Sequence, residues 1–513
     1  MNLLQSSQAT HSKRNLAVAG VMLVIFLFAI DATIVSTSMP TIVARLGGLE
    51  LYSWVFSIYM LTSALTTPLF GKLADLFSHR RLMLIGIGIF VLGSTLCGAA
   101  QSMEMLVLFR AIQGLGGGAI YALAFIVVGV LFPPAQRAKM QGIISSIWGI
   151  SSILGPLAGG LIVEYTNWRW VFFVNLPITA IAVCLIAVGL KEDKAERHTP
   201  KLDLVGASTL LLGLMVMFYA LSRSAHTRQP LNAELLSILA LSMVILIFFY
   251  FIERRAEEPI IPLDVFRLNL YRTSTLVATL AAMGVFGAIS YLPLYLQGVL
   301  GMSASGAGMI LLLLSLGWTA GSLIAGHAIN RLGYRRVAGV GMSCMAVGFG
   351  IFVVTVHPVS FLWVLLASLL IGLGMGTANL TTLVAAQNAV PIRRIGVATS
   401  TLMLFRTFGG AFCISLMGTV LFNRMQQGLE KIGSGLSATL RDKVANPQNL
   451  LEPVTRASIP PEFLPQLIDL LANSIWYAFL TALLLMIIGC AVSTRMGSYT
   501  PANTPRPDGK ASQ

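Results

Sequence analysis

Charged side chains are scarce in this chain: Asp, Glu, Lys and Arg make up 11% of 513 residues against 56% hydrophobic, and the mean hydropathy is +0.82. Soluble domains carry roughly a quarter charged residues, so this composition excludes an ordinary soluble protein. Cysteine is sparse too, with five in all, Cys97, Cys184, Cys344, Cys413 and Cys490. None stands in a C-x-x-C spacing and each falls inside an apolar run, which argues against disulfide or metal chemistry. Neither H-E-x-x-H nor G-x-x-x-x-G-K-[ST] occurs, so a zinc hydrolase and a nucleotide-hydrolysing pump are excluded. The run GLGGGAI at 114–120 follows no strand and lies within an apolar helix, so it is no phosphate loop. The apolar runs hold no paired carboxylates and no Ser/His/Asp set that one cavity could gather. The expectation is no enzyme, no metal and no cofactor.

What the chain has in abundance is apolar runs long enough to cross a bilayer core of about 30 Å as helices. They lie near 16–38, 51–70, 82–100, 104–129, 140–164, 168–190, 203–221, 233–252, 273–299, 306–329, 337–356, 360–385, 396–422 and 473–492. That makes fourteen spans of an all-α polytopic membrane protein. Short cytoplasmic loops collect Lys and Arg. One side holds Lys13, Arg14, Lys72, Arg80, Arg81, Arg137, Lys139, Lys191, Lys194, Arg197, Lys201, Arg254, Arg255, Arg267, Arg272, Arg331, Arg335, Arg336, Arg393 and Arg394, while short loops opposite hold Arg45, Arg169, Arg223 and Arg228. Both termini are therefore expected in the cytoplasm. The net charge of +14 is a topology signal facing anionic lipid and calls for no nucleic acid.

Two loops repeat one pattern, GKLADLFSHRR at 71–81 and GHAINRLGYRR at 326–336. The spacing exceeds a six-helix half by about the helix pair at 203–252, which suggests a six-helix half at 1–190, a linker with an inserted pair at 191–255, and a second half at 256–492. Residues 493–513 form a cytoplasmic tail, and the proline-containing 423–472 reads as an extended external loop.

These motifs resemble the major facilitator superfamily, specifically its fourteen-helix drug:proton antiporters of the EmrB/QacA type. The likeness covers nearly the whole chain. GKLADLFSHRR carries Gly71, Asp75, Arg80 and Arg81 on the superfamily's loop pattern, with Leu76 in place of Arg and Ser78 in place of Gly. LVLFRAIQGLGGG matches the fourth-helix pattern through Arg110, Gln113 and Gly114. GISSILGPLAGGLI is similar to the antiporters' fifth helix through Gly149, Gly155, Pro156, Gly159 and Gly160. DATIVSTSMPTI resembles the first-helix pattern, with Ser36 where Asn is common. The resemblance implies a loop that latches the outward-facing state and a fifth helix that seals one half against the other.

Asp31 is the only acid deep in any span, where a carboxylate costs about 2.5 to 3.5 kcal/mol unless it faces a cavity or partner. It lies about 10 Å below the outer boundary at 1.5 Å per residue, and Arg110 on the fourth helix reaches the same depth. Proton coupling is thus expected of Asp31 and Arg110. Gln113 and Tyr121 share the Arg110 stripe and would line a substrate cavity. Arg406 stands near the midplane of the thirteenth span with no acid of its own half to neutralise it, so it reaches Asp31, binds an anionic substrate, or snorkels. Asp75 looks like the latch itself, and the second copy has the weaker Asn330.

Together these readings give the expectation of a proton-coupled antiporter in the cell inner membrane, exporting amphipathic drugs or toxic compounds by alternating access. The alternative is a dedicated exporter of one metabolite, lipid or siderophore on the same fold. Its expected partners are membrane lipid, a small amphipathic substrate and protons; the resemblance leaves open a periplasmic adaptor protein, for which no site is readable.

Overall fold

The computed structural model describes residues 2–48, 51–190, 203–226, 233–256, 258–355, 360–432, 444 and 459–500. Most of the linker 191–203, with Lys191, Lys194, Arg197 and Lys201, lies outside the described residues, as do Arg228, the middle of 423–472 and 501–513.

In chain order the helices are α1 Asn2–Leu46, α2 Tyr52–Leu76, α3 His79–Ala99, α4 Met103–Leu131, α5 Pro134–Tyr165, α6 Trp170–Phe173, α7 Asn175–Gly189, α8 Leu204–His226, α9 Ala233–Glu253, α10 Asn269–Leu294, α11 Ala304–Val354, α12 Phe361–Asn388, α13 Ile395–Ile432 and α14 Leu464–Ser493. No strand occurs among the described residues. In hydrocarbon every backbone N–H and C=O must be paired within the segment, so apolar runs of this length can only be helices. Their starts are written locally. Ser102 Oγ accepts from Met105 N at 3.3 Å to cap α4, Ser303 Oγ accepts from Gly306 N at 3.2 Å to cap α11, and Pro134 opens α5 where its missing N–H costs nothing. Side chains such as Leu108, Phe248 and Met309 stand more than half exposed, as lipid-facing positions do.

Among the described residues, eleven helices are long and apolar enough to cross a membrane. The reading of fourteen spans differs from that number at three places, each with a physical reason. In α2 the hydroxyls Thr62, Ser63, Thr66 and Thr67 dilute the hydropathy, and in α8 the apolar stretch is only Val205–Ala220. The third is α11, which would be about 76 Å long as one rod. It breaks at Gly333, whose φ of 78° and ψ of 167° suit a residue without Cβ. Before the break Leu314 and Trp318 meet Gly372 and Gly376 in parallel register; after it Gly341 and Gly348 meet Ala378 and Ile371 in antiparallel register. The chain therefore folds back on α12. Residues 423–472 also differ from the expected loop at both ends: α13 runs on to Ile432 and α14 begins at Leu464.

Helix α4 packs between α2 and α3 through glycine. A Cβ on Gly116 would stand 2.2 Å from Phe90 N, and one on Gly118 would stand 2.1 Å from Ser63 O. The pair α8 and α9 sits across the seam of the bundle: Leu210, Leu214 and Phe249 form one cluster with Leu65 of α2 and Leu404 of α13, and Phe218 packs on Phe408 at 4.8 Å.

The polar contacts between α1–α7 and α10–α14 gather at the end that carries the arginine-rich loops. Gln141 donates to Gln387 at 2.6 Å, Gln387 donates to Phe125 O at 3.3 Å, Arg137 donates to Asn388, and Asn330 donates to Ala135 O at 2.9 Å. The bundle is closed at its basic end.

Candidate functional site

Helical spacing puts Arg110 and Gln113 on one face of α4, one turn apart. That face meets Asp31 of α1 and Asn175, the first residue of α7. Arg110 Nη1 donates to Asp31 Oδ2 at 2.6 Å and to Gln113 Oε1 at 2.8 Å, while Gln113 Nε2 and Asn175 Nδ2 donate to Asp31 Oδ1 at 2.8 and 3.3 Å. The remaining capacity of the arginine is also used: Nε donates to Val55 O at 3.3 Å, and the guanidinium lies 4.2 Å from the Tyr59 ring centroid. All four polar residues are at most 1% exposed. A charge pair withdrawn from water persists only where hydrogen bonds occupy its other lone pairs and protons, which is the case here. Asn175 is a member that sequence reasoning missed. Its signal was a lone amide in an apolar run, held in register by Ser94, whose Oγ accepts from Asn175 Nδ2 at 3.0 Å and donates to Phe172 O at 2.8 Å.

Two to three turns further along α4, Tyr121 joins an aromatic wall. Its ring stacks on Phe28 at 4.9 Å, and Trp148 meets Phe28 and Tyr121 edge-on at 5.8 and 6.2 Å. Arg406 comes from α13 on the other side of the seam and lies beside the Tyr121 hydroxyl. It does not reach Asp31, whose oxygens are held by Arg110, Gln113 and Asn175.

The fifth-helix glycines divide between two neighbours, which corrects the reading of one sealing face. A Cβ on Gly149 would stand 1.9 Å from Thr319 Oγ1 of α11, across the seam. Gly155 and Gly159 pack instead on Thr33, Ile34 and Thr37 of α1, inside their own half. Gly160 meets nothing within 4 Å, and Pro156 is exposed. The face turns because Pro156 and Gly160 lie one turn apart on the side of α5 away from α1.

At the basic end Asp75 caps the start of α13, accepting from Gly396 N at 2.7 Å and Val397 N at 2.8 Å. The amides at a helix N-terminus lack intrahelical partners and carry partial positive charge, so a carboxylate suits them. Asn330 makes a single neutral bond at the matching place on α5. Gly71 and Asp75 make the contact, and Arg80 and Arg81 stand at the start of α3. Beside it Lys72 pairs with Glu258 at 2.6 Å, a partner the sequence did not reveal.

Burial pushes the Asp75 carboxyl up from 3.8 to about 7, against the lowering effect of the Val397 and Gly396 amides, Lys72 and Arg394. When the basic end opens, water reaches the group and its proton affinity falls, so the closed state binds more protons between pH 3.8 and about 7. Acid therefore favours closure in that window, and the effect is lost above it. With fluorophores on the exposed positions Arg81 and Ile392, acidification from about pH 8 to 6 is expected to shorten the mean distance in the wild type and not in Asp75→Asn. A pH-independent distance in both would show that Asp75 does not titrate with closure.

Gly71 gives a second test. A Cβ there would stand 1.9 Å from Ser400 Oγ and 2.9 Å from Gly396 O. Overpacking of that kind costs about 1–3 kcal/mol, so Gly71→Leu is expected to shift the closed population roughly five- to 150-fold toward open. The same distance measurement reads it, and a wild-type distance would refute it.

Comparison with known proteins agrees with this architecture. Residues 21–413 match the family model of the Major Facilitator Superfamily. The chain is 34% identical over 504 residues to the multidrug transporter protein MdtP of Bacillus subtilis, covering 94% of this chain and 93% of that one. It is 33% identical to multidrug resistance protein 3 of the same organism, with 96% and 97% covered. The crystal structure of the human organic anion transporter MFSD10 shares the fold at a TM-score of 0.61 and 16% identity, over 94% of this chain and 99% of that one. This chain is a multi-pass membrane protein of the Major Facilitator Superfamily.

Proposed function

We propose that the protein is a proton-coupled antiporter that exports amphipathic compounds from the cytoplasm, with its basic end and both termini on the cytoplasmic face. The observation that carries this reading is the Asp31 cluster. A lone membrane acid, fully withdrawn from water, is held by one cation and two amides, so any motion that parts Asp31 from Arg110 leaves a carboxylate that draws a proton. The two Bacillus relatives, named as a multidrug transporter and a multidrug resistance protein, support drug export as the task. Closure at the basic end corresponds to the outward-facing state, with Asp75 and Gly71 as its latch. One returning proton supplies about 2.3 kcal/mol per 100 mV, which sustains roughly fiftyfold accumulation of a neutral compound.

Everted membrane vesicles holding an acid-inside gradient test this directly. Adding amphipathic compounds is expected to release protons, seen as recovery of a pH-sensitive dye, for those compounds that also accumulate inside. Accumulation without proton release would overturn the coupling, and proton release with a single compound class alone would favour a dedicated exporter.

A further inference from the structure

The inserted side chain at the seam that the coupling cluster leaves unused is Arg406. It is 7% exposed, its Nε has no hydrogen-bond partner, and among the described residues its one polar partner is the neutral Tyr121. The ion pairs Asp31–Arg110, Lys72–Glu258 and Arg394–Asp264 do not include it. A guanidinium withdrawn from water without a counter-ion is among the costliest groups a membrane protein can hold, and such residues mark ligand paths. Two explanations fail on geometry. Asp31 is paired with Arg110 and bonded by Gln113 and Asn175 instead, and Arg406 stands eleven residues into α13, about 16 Å from its start, too deep and too covered to snorkel.

Its neighbour Tyr121 belongs to an aromatic wall. Phe28 and Tyr121 are stacked, Trp148 closes the corner, and Tyr121 and Trp148 remain half-buried although both stand in the middle of their helices. Such a wall alone would also take a lipophilic cation. Beside it, however, Asp31 and Arg110 cancel, so among the charged residues of the Asp31 cluster and the seam at Tyr121 the one left over is Arg406, a +1 that repels cations.

We propose that Arg406 is the counter-ion of the transported molecule, and that the preferred substrates are aromatic amphiphiles bearing one carboxylate. The planar fork of the guanidinium takes a carboxylate through two parallel hydrogen bonds, while the wall takes the ring system. Because Tyr121 and Arg406 belong to opposite sides of the seam, a carboxylate that draws Arg406 from Tyr121 also loosens a contact between them. The proposal rests on the export reading, and its test is binding rather than transport, so loss of proton coupling would leave it standing.

The probes are 2-naphthylacetate, its methyl ester and 2-(2-naphthyl)ethylammonium, titrated at pH 7.5 onto the full-length protein in lipid nanodiscs. The wild type is expected to bind the acid about tenfold or more tighter than the ammonium compound. Arg406→Gln should weaken the acid roughly ten- to a hundredfold and leave the ester unchanged, and Arg406→Lys should recover part of the loss. Tightest wild-type binding of the ammonium compound, no binding of any probe, or unchanged acid binding in Arg406→Gln would each overturn the proposal. If Arg406→Gln binds neither acid nor ester, the wild-type order of the three probes decides.

Discussion

Replacing Asp31 by asparagine is expected to abolish uphill export while leaving substrate exchange intact. Asparagine keeps the shape of the side chain, and Arg110, although it loses its counter-ion and the variant loses stability with it, retains Val55 O, Gln113 Oε1 and the Tyr59 ring, which hold the helices in register. What disappears is the group that can be charged in one conformation and neutral in the other. Without it a cycle carries no proton, and the accumulation ratio should fall from roughly fiftyfold per 100 mV to about one. Equilibrium exchange of labelled for unlabelled substrate needs no proton and should proceed near the wild-type rate. That pairing of results separates a proton carrier from an ion pair that merely registers α1 on α4. A variant that still accumulates substrate against its gradient would make Asp31 structural.

The second large effect concerns the partner. Arg110→Leu leaves Asp31 buried with two amides and no cation, and breaking a buried pair from one side costs about 3–5 kcal/mol. The variant is expected to unfold several degrees below the wild type in detergent and to reach the membrane in smaller amounts. Adding Asp31→Asn to Arg110→Leu removes the uncompensated charge, so the double variant should recover most of the lost stability. Thermal unfolding of the three variants gives the coupling between the two sites directly. If the single variant is as stable as the wild type, the pair contributes nothing to the fold.

Much of the site was legible before the structure because depth is a one-dimensional quantity. Counting residues from each helix end placed Asp31 and Arg110 at one level, and the structure pairs them at 2.6 Å. Periodicity likewise put Gln113 beside Arg110. Asn175 escaped because nothing in NLP at 175–177 distinguishes a buried amide from one at the membrane surface; only the rotation of α7 turns it toward Asp31. Arg137 read as a topology signal and proves to be a buried contact with Asn388. For Pro156 and Gly160 the resemblance implied an inter-half face, and the packing of α5 on α1 turned them away from it.

The sequence by itself determined that this is a helical membrane protein, where its apolar spans run, and which single acid lies deep among them. Those properties follow from the cost of placing charges and unpaired backbone groups in hydrocarbon, which each segment meets alone. The tertiary structure decided which side chains meet. Asp75 finds Gly396 and Val397, Gln141 finds Gln387, and Arg406 finds Tyr121 and, among the described residues, no carboxylate, over separations of hundreds of residues. Such pairings depend on how each helix is rotated and on which end of the bundle is closed, and neither is encoded in any one segment.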